Sequence, residues 1–192
     1  MFCGLLTSIA ASHLQNCTFW VETYPQTLYA HMDEVRDFVA NNPAYNAEIA
    51  FLIDMKLPSG KNRFFVCDLK SKKVIDQGLV AHGYGSETGE EGKLIFSNVV
   101  NSNRTSLGKY RIGQSYIGQF GKAYRLHGLD ATNSNALQRY VVLHSFSEVP
   151  EHEQDLPICN SLGCPMVHQN FFNRIAKRID GSNQSMILYI YY

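Results

Sequence analysis

A net charge is the first thing this sequence lacks. Its 17 basic and 17 acidic residues cancel to a formal charge of zero, and no long block of either sign breaks the balance. That argues against nucleic acid and against attachment to an anionic membrane surface. Long apolar runs are missing too, so no stretch is expected to span a bilayer as a transmembrane segment. The five cysteines, at 3, 17, 67, 159 and 164, form no paired CxxC knuckles with flanking histidines. A zinc site is therefore not expected, and no other metal or cofactor is. Because five is odd, at least one thiol stays free within a single chain. Repeats and low-complexity linkers are absent. Gly83-Tyr84-Gly85-Ser86 lacks the GK[ST] that would make it a phosphate loop.

What is present suits a single domain. The 192 residues allow an ordinary core, and 11 Tyr, 11 Phe and one Trp suit strands and core filling. Apolar positions Leu28, Met32, Val35 and Val39 predict a helix over residues 26–40, ended by Asn41-Asn42-Pro43. From residue 48 the period changes to that of strands: 49–53, 63–69 and 74–82, joined by short turns as an antiparallel meander. Residues 83–93, rich in Gly, Glu, Ser and Thr, read as a mobile surface loop. Further strands are expected at 109–113, 123–126 and 140–144, with a short turn or helix at 133–139. A second helix is expected over 168–179, then a closing strand over 186–192. The fold class is mainly β, a β-rich α+β domain with one helix at the front and one near the end. Residues 1–47 form an N-terminal segment. Its first eleven residues resemble part of an export-signal core without a basic leader, and both a signal remnant and an ordinary N-terminal helix fit that pattern.

Chemistry gathers around Ser161-Leu162-Gly163-Cys164-Pro165. His144 closes the apolar run upstream, and a thiol beside an imidazole is the minimum for cysteine nucleophilic catalysis. Gly163 removes a Cβ next to the nucleophile, which lets a substrate carbonyl and backbone N–H groups come close. On the residues alone, His127 and His82 compete with His144 for the base, since each also ends a strand before a glycine. Cys67, inside an apolar run, reads as a packed thiol. Tyr110, His82, Ser161 and Arg125 are second-tier candidates for lining a groove, against the reading in which each is satisfied inside the fold.

The ordered set of motifs resembles the murein L,D-transpeptidase catalytic domains, the YkuD-like cysteine enzymes. Their general pattern is His, a spacer, then Ser/Thr-x-Gly-Cys, which His144 and Ser161-Leu162-Gly163-Cys164 match. The resemblance runs over residues 48–192. It takes in Leu52-Ile53-Asp54, Pro58-Ser59, Arg63, Val66-Cys67-Asp68-Leu69, Val80-Ala81-His82-Gly83-Tyr84-Gly85-Ser86 and Phe96-Ser97-Asn98. It continues through Ser106-Leu107-Gly108-Lys109-Tyr110, Leu126-His127-Gly128-Leu129, Asn133-Ser134-Asn135-Ala136 and Val141-Val142-Leu143-His144. Departures are Asn160 where Arg is usual, Ser145 where Gly is usual, Leu162 where an aromatic is common, and an acidic spacer carrying Cys159.

The resemblance implies a YkuD-like sheet or sandwich and a cysteine acyltransferase or peptidase that needs no metal. Cys164 would attack a peptidoglycan stem peptide before D-alanine, with His144 as base and backbone N–H groups near Gly163 and Cys164 as oxyanion donors. An amine would then take the acyl group to give a 3→3 cross-link, or water would take it in an L,D-carboxypeptidase reaction. Carbapenems would acylate the thiol. A murein substrate implies an extracytoplasmic place, in the periplasm or cell envelope of a bacterium. The rivals are a catalytically silent cell-wall-binding domain and a cysteine peptidase of other specificity. Cys159 is near enough in sequence to oxidise with Cys164.

Overall fold

The computed structural model describes residues 24–90 and 92–192; the export-signal reading of the first residues lies outside them. Helix α1 spans Gln26–Ala40, and α2 spans Gln169–Asp180. The strands are β1 Ile49–Asp54, β2 Phe64–Asp68, β3 Lys73–Gly78, β4 Val80–Ala81, β5 Gly108–Gly118, β6 Gly121–Gly128, β7 Val142–Ser145, β8 Met166–Val167 and β9 Ile187–Tyr191. They form one sheet in the order β3-β2-β1-β9-β5-β6-β7-β8-β4.

The expected meander is present, because β1 pairs antiparallel with β2 and β2 with β3. The strand expected over 74–82 is not one strand. It breaks at Leu79, so that β3 ends one edge of the sheet while β4 pairs with β8 at the other. One residue thus separates the two edges in sequence, and the sheet must curl until they meet. Arg63 staples that meeting point. Its N–H donates to Gly78 O, and its buried guanidinium donates from Nε and Nη2 to Val80 O and from Nη1 to Leu57 O.

The apolar run at 49–53 is explained by burial on both faces of the sheet. Phe51 and Ile53 of β1, with Leu188 and Ile190 of β9, point into a core that α2 covers with Phe171, Phe172, Ile175 and Ala176. Ala50, Leu52 and Ile187 point the other way, against Leu28, Met32, Val35 and Val39 of α1. The two-residue alternation of the strands and the helical spacing of α1 meet there. The start of the 83–93 stretch, residues 83–86, also differs from expectation, whereas most of the described residues of 87–93 are exposed at the surface. Tyr84–Ser86 is a 3-10 turn, Ser86 is fully buried, and Gly83 bridges to Ser161. The stretch is built into the fold because Gly83 N–H donates to Thr105 Oγ1 and Gly85 N–H to Asn103 O.

Arg63→Met would remove a partner from the buried Val80 carbonyl, the part-buried Leu57 carbonyl and the His82 ring nitrogen. At about 1–3 kcal/mol for each buried unsatisfied group, the expected loss is about 3 kcal/mol or more, read as a lower midpoint in urea unfolding.

Candidate active site

β7 and β8 run parallel, with His144 level with Met166. Three alternate N–H groups of this edge face β8. Phe146 N–H reaches Val167 O at 3.0 Å and His144 N–H reaches Pro165 O at 3.4 Å. Val142 N–H reaches the Sγ of Cys164 at 3.4 Å. The sulfur therefore occupies the first rung of the ladder, where a carbonyl would otherwise stand. The Cys164 thiol points toward Tyr140 O at 3.7 Å. Tyr140 turns that carbonyl inward by adopting a left-handed backbone, φ 56°, with its side chain 84% exposed. Such a conformation is uncommon for an aromatic residue and is held by its surroundings.

The loop before Cys164 is sewn to the other end of the sheet. Ser161 N–H donates to His82 O at 2.8 Å, and Tyr84 N–H donates to Ser161 O at 2.8 Å. Ser161 Oγ accepts the Gly163 N–H at 3.0 Å. That bond uses the Gly163 N–H internally, so it is not free to bind an oxyanion; the N–H of Cys164 itself remains for that role. Gly163 has φ 117°, and a Cβ there would lie 2.9 Å from Arg104 O and 3.3 Å from Arg139 Nη2.

His144 is buried. Its Nδ1 donates to Ser145 O at 2.9 Å, which leaves Nε2 as a free acceptor. Phe120, at the tip of the β5–β6 hairpin, stacks on the imidazole at 5.1 Å. Burial pushes the His144 pKa down, against the opposing pull of Ser145 O, so the ring is a neutral base. Burial pushes the Cys164 thiol up, while Val142 N–H and the Arg139 charge pull it down. Imidazole and thiol share no hydrogen bond, a separation common before substrate closes a site.

The other candidates fall in distinct places. His82 is buried; the guanidinium of Arg63 donates to its Nδ1 at 2.8 Å, so Nε2 carries the proton toward Glu87 Oε1 at 2.7 Å. Both ring nitrogens are thus spent. Burial first, then Arg63, lowers its pKa. Tyr110 lies fully in the core, bonded to Ser106 O and Oγ, with its phenol pushed up to about 12 by burial. His127 lies on β6 beyond the end of β7, its ring over Gly113, where a Cβ would come 2.5 Å from Nε2. Burial, then Arg111 and Arg125, lowers its pKa. Arg125 is exposed, its guanidinium 4.7 Å from the Tyr116 ring centre. It lines a cavity of about 200 Å³ with Tyr116, Leu137, Tyr140, Val141 and Val142, two of which also touch Cys164 Sγ. Cys159 and Cys164 are both free thiols and pack on one small cluster around Ile158 and Met166. Among the described residues, no group of His, Cys, Asp and Glu could hold a metal ion.

Arg139, Tyr140 and Phe120 were not singled out as site residues. Arg139 donates through Nη1 to Ser97 O and Ser106 Oγ, and through Nη2 to Ser102 Oγ and Arg104 O. It lies in the Asn- and Ser-rich turn, 131–140, where a lone arginine gives no periodic signal.

Fold and site together define a β-rich domain that presents a thiol and a buried, neutral imidazole along one pair of parallel strands. The family model for the L,D-transpeptidase catalytic domain, YkuD_2, matches residues 22–191, and the chain belongs to that family. Comparison with curated proteins found no match. Solved structures similar to the chain include an L,D-transpeptidase from Xylanimonas cellulosilytica, at 12% identity and TM-score 0.44, covering 75% of this chain and 60% of that one. The helical cell shape determining protein Pgp2 (K307A mutant) from Campylobacter jejuni is 11% identical with TM-score 0.48, covering 87% and 56%. An L,D-transpeptidase from Mycobacterium smegmatis is 12% identical with TM-score 0.41, covering 76% and 59%. The chain spans roughly three-fifths of the length of each of these.

Gly163→Ala would force a side chain into a left-handed backbone and against Arg104 O. A strain of about 1–3 kcal/mol should displace the 163–164 peptide. The expected outcome is a folded protein, by circular dichroism, whose Cys164 loses its reactivity toward acylating agents.

Proposed function

We propose that the chain is a peptidoglycan L,D-transpeptidase. Cys164 attacks the stem-peptide carbonyl before D-alanine, and the C–N bond breaks as the thioester forms. The thiol proton passes by way of His144 Nε2 to the departing D-alanine amine. A second stem's amine then attacks the thioester, giving up a proton as Sγ is released, and a 3→3 cross-link results. With water in its place the same steps give an L,D-carboxypeptidase. The observation that carries this reading is the β7–β8 ladder: it holds Sγ at the Val142 N–H and sets His144 two residues further along the same strand, with Nε2 unbonded.

Membership of the L,D-transpeptidase catalytic-domain family supports the substrate class. The cavity beside Sγ, with the Arg125 cation on its wall, supports an anionic peptide as its occupant. A murein substrate places the site outside the cytoplasm of a bacterium. The oxyanion of the tetrahedral intermediate would rest on the N–H of Cys164. His144 is preferred to His127 as the base because His127 lies on the next strand, past the end of its pairing with β7.

Incubation with a carbapenem should add one drug mass to the intact protein, and Cys164→Ala should abolish the adduct. A cysteine peptidase of other specificity would instead cleave L,L peptides without it, and a silent binding domain would hold peptidoglycan equally well as Cys164→Ala. His144→Ala should slow acylation by about 10²-fold or more, whereas His127→Ala should leave it close to wild type. Full activity in His144→Ala would remove His144 as the base.

The acylation rate should keep climbing as pH rises above 7. His144, with its pKa pushed down, is already neutral there, while Cys164, with its pKa pushed up, is still gaining thiolate. A rate flat between pH 7 and pH 9 would contradict this.

A further inference from the structure

Arg139 is a half-buried cation with no anion of its own. Its four hydrogen bonds go to Ser97 O at 2.8 Å, Ser106 Oγ at 3.0 Å, Ser102 Oγ at 3.4 Å and Arg104 O. Every acceptor is a neutral oxygen. Among the described residues no carboxylate pairs with the guanidinium, and the acidic groups that act on it are Tyr110 and Cys164. Moving a guanidinium out of water without a counter-ion costs solvation that neutral dipoles return only in part. Tyr110 does not supply the missing charge, since its buried phenol stays protonated. The thiol is left.

The backbone is shaped for this approach. With φ 117° and no side chain, Gly163 lets Arg139 Nη2 lie 3.3 Å from where its Cβ would be. The guanidinium thus rests against the residue directly before the nucleophile. The turn that carries Arg139 also places Tyr140 O against the thiol. One short segment therefore provides both the acceptor for the S–H and a charge against the residue before Cys164.

We propose that Arg139 is the counter-charge of the Cys164 thiolate, a positioning residue that lets the sulfur ionise in a site otherwise too dry for it, while His144 stays neutral and moves protons. With no substrate bound, ionisation leaves the S–H electron pair on sulfur and sends the proton to water; with a stem peptide bound the proton goes by way of His144 Nε2 to the leaving amine, and in both cases Val142 N–H and the Arg139 charge hold the anion. The other titratable groups around Cys164 are Tyr110 on β5, His144 on β7, Cys159 on the same small cluster and Arg125 on the wall of the adjoining cavity. On the Ser161 side, His82 and Glu87 are paired with each other. The proposal rests on the function proposed above only in taking Cys164 as the nucleophile. Thiol ionisation is measurable without any murein substrate, so the two can fail separately.

The test is the pH dependence of Cys164 alkylation by iodoacetamide in the intact protein, with peptide mapping to separate Cys164 from the other cysteines. In Arg139→Gln the midpoint should rise by about one unit or more. In Arg139→Lys, which keeps the charge but loses the fork, it should rise less. In His144→Ala it should stay at the wild-type value. A wild-type midpoint in a folded Arg139→Gln overturns the proposal. If Arg139→Gln does not fold, Arg139→Lys decides: a raised midpoint in the folded variant supports Arg139 as the counter-charge, and a wild-type midpoint overturns it.

Discussion

The guanidinium of Arg63 donates to Val80 O from two nitrogens, to Leu57 O from a third position, and to Nδ1 of His82, in a place that is 99% closed to solvent. Burial draws its pKa down to about 10, still far enough above neutrality to keep it charged. A buried cation of this kind is tolerated only when its donors are satisfied. The satisfaction here has a direction. Arg63 fixes the tautomer of His82, whose Nε2–H then holds Glu87. The backbone carbonyl of His82 holds Ser161, and the hydroxyl of Ser161 holds Gly163, one residue from Cys164. A charge on β2's approach is thereby linked, bond by bond, to the loop that carries the thiol.

The sulfur itself belongs to the sheet. It takes the place of a backbone acceptor at the first rung between β7 and β8, so its position follows from strand geometry and not from side-chain packing alone. Two consequences compete. Closeness to the sheet dries the thiol and pushes its pKa up, while a backbone donor and a nearby cation favour its ionised form. Dryness also strengthens each interaction the site makes with developing charge. The same burial favours the neutral form of His144.

Much of this was legible in the residues. The spacing of Leu28, Met32, Val35 and Val39 marked α1, and Phe171, Phe172 and Ile175 marked the inner face of α2, because a half-buried helix repeats every 3.6 residues. The β1–β2–β3 meander followed from short turns between apolar runs. The resemblance brought His144 and Cys164 forward; the β7–β8 ladder pairs His144 with Met166, and Cys164 Sγ takes the Val142 N–H two residues before His144. The break at Leu79 was hidden, since an apolar residue between Gly78 and Val80 reads as continuing strand and nothing local says that its neighbours join opposite edges. β4 and β8, at two residues each, are too short for any period to register. Arg139, Tyr140 and Phe120 act through turns, where function depends on backbone direction and not on repeat. Of the backbone N–H groups near Gly163 and Cys164 that the resemblance offers as oxyanion donors, the one on Gly163 donates to the hydroxyl two residues earlier, a local competition that spacing does not report.

The place of β9 has a consequence in time. It lies between β1 and β5, so it joins the β3-β2-β1 group to the β5-β6-β7-β8-β4 group. Yet in sequence it follows every other strand, and it follows Cys164 as well. As the chain emerges during synthesis, Cys164 exists for a while with no completed sheet behind it. The pairings that bridge β1 to β9 and β9 to β5 span long stretches of chain, and contacts of that kind form slowly. The loop that carries Cys164 is therefore made, and left waiting, before the strand that joins the two halves of the sheet.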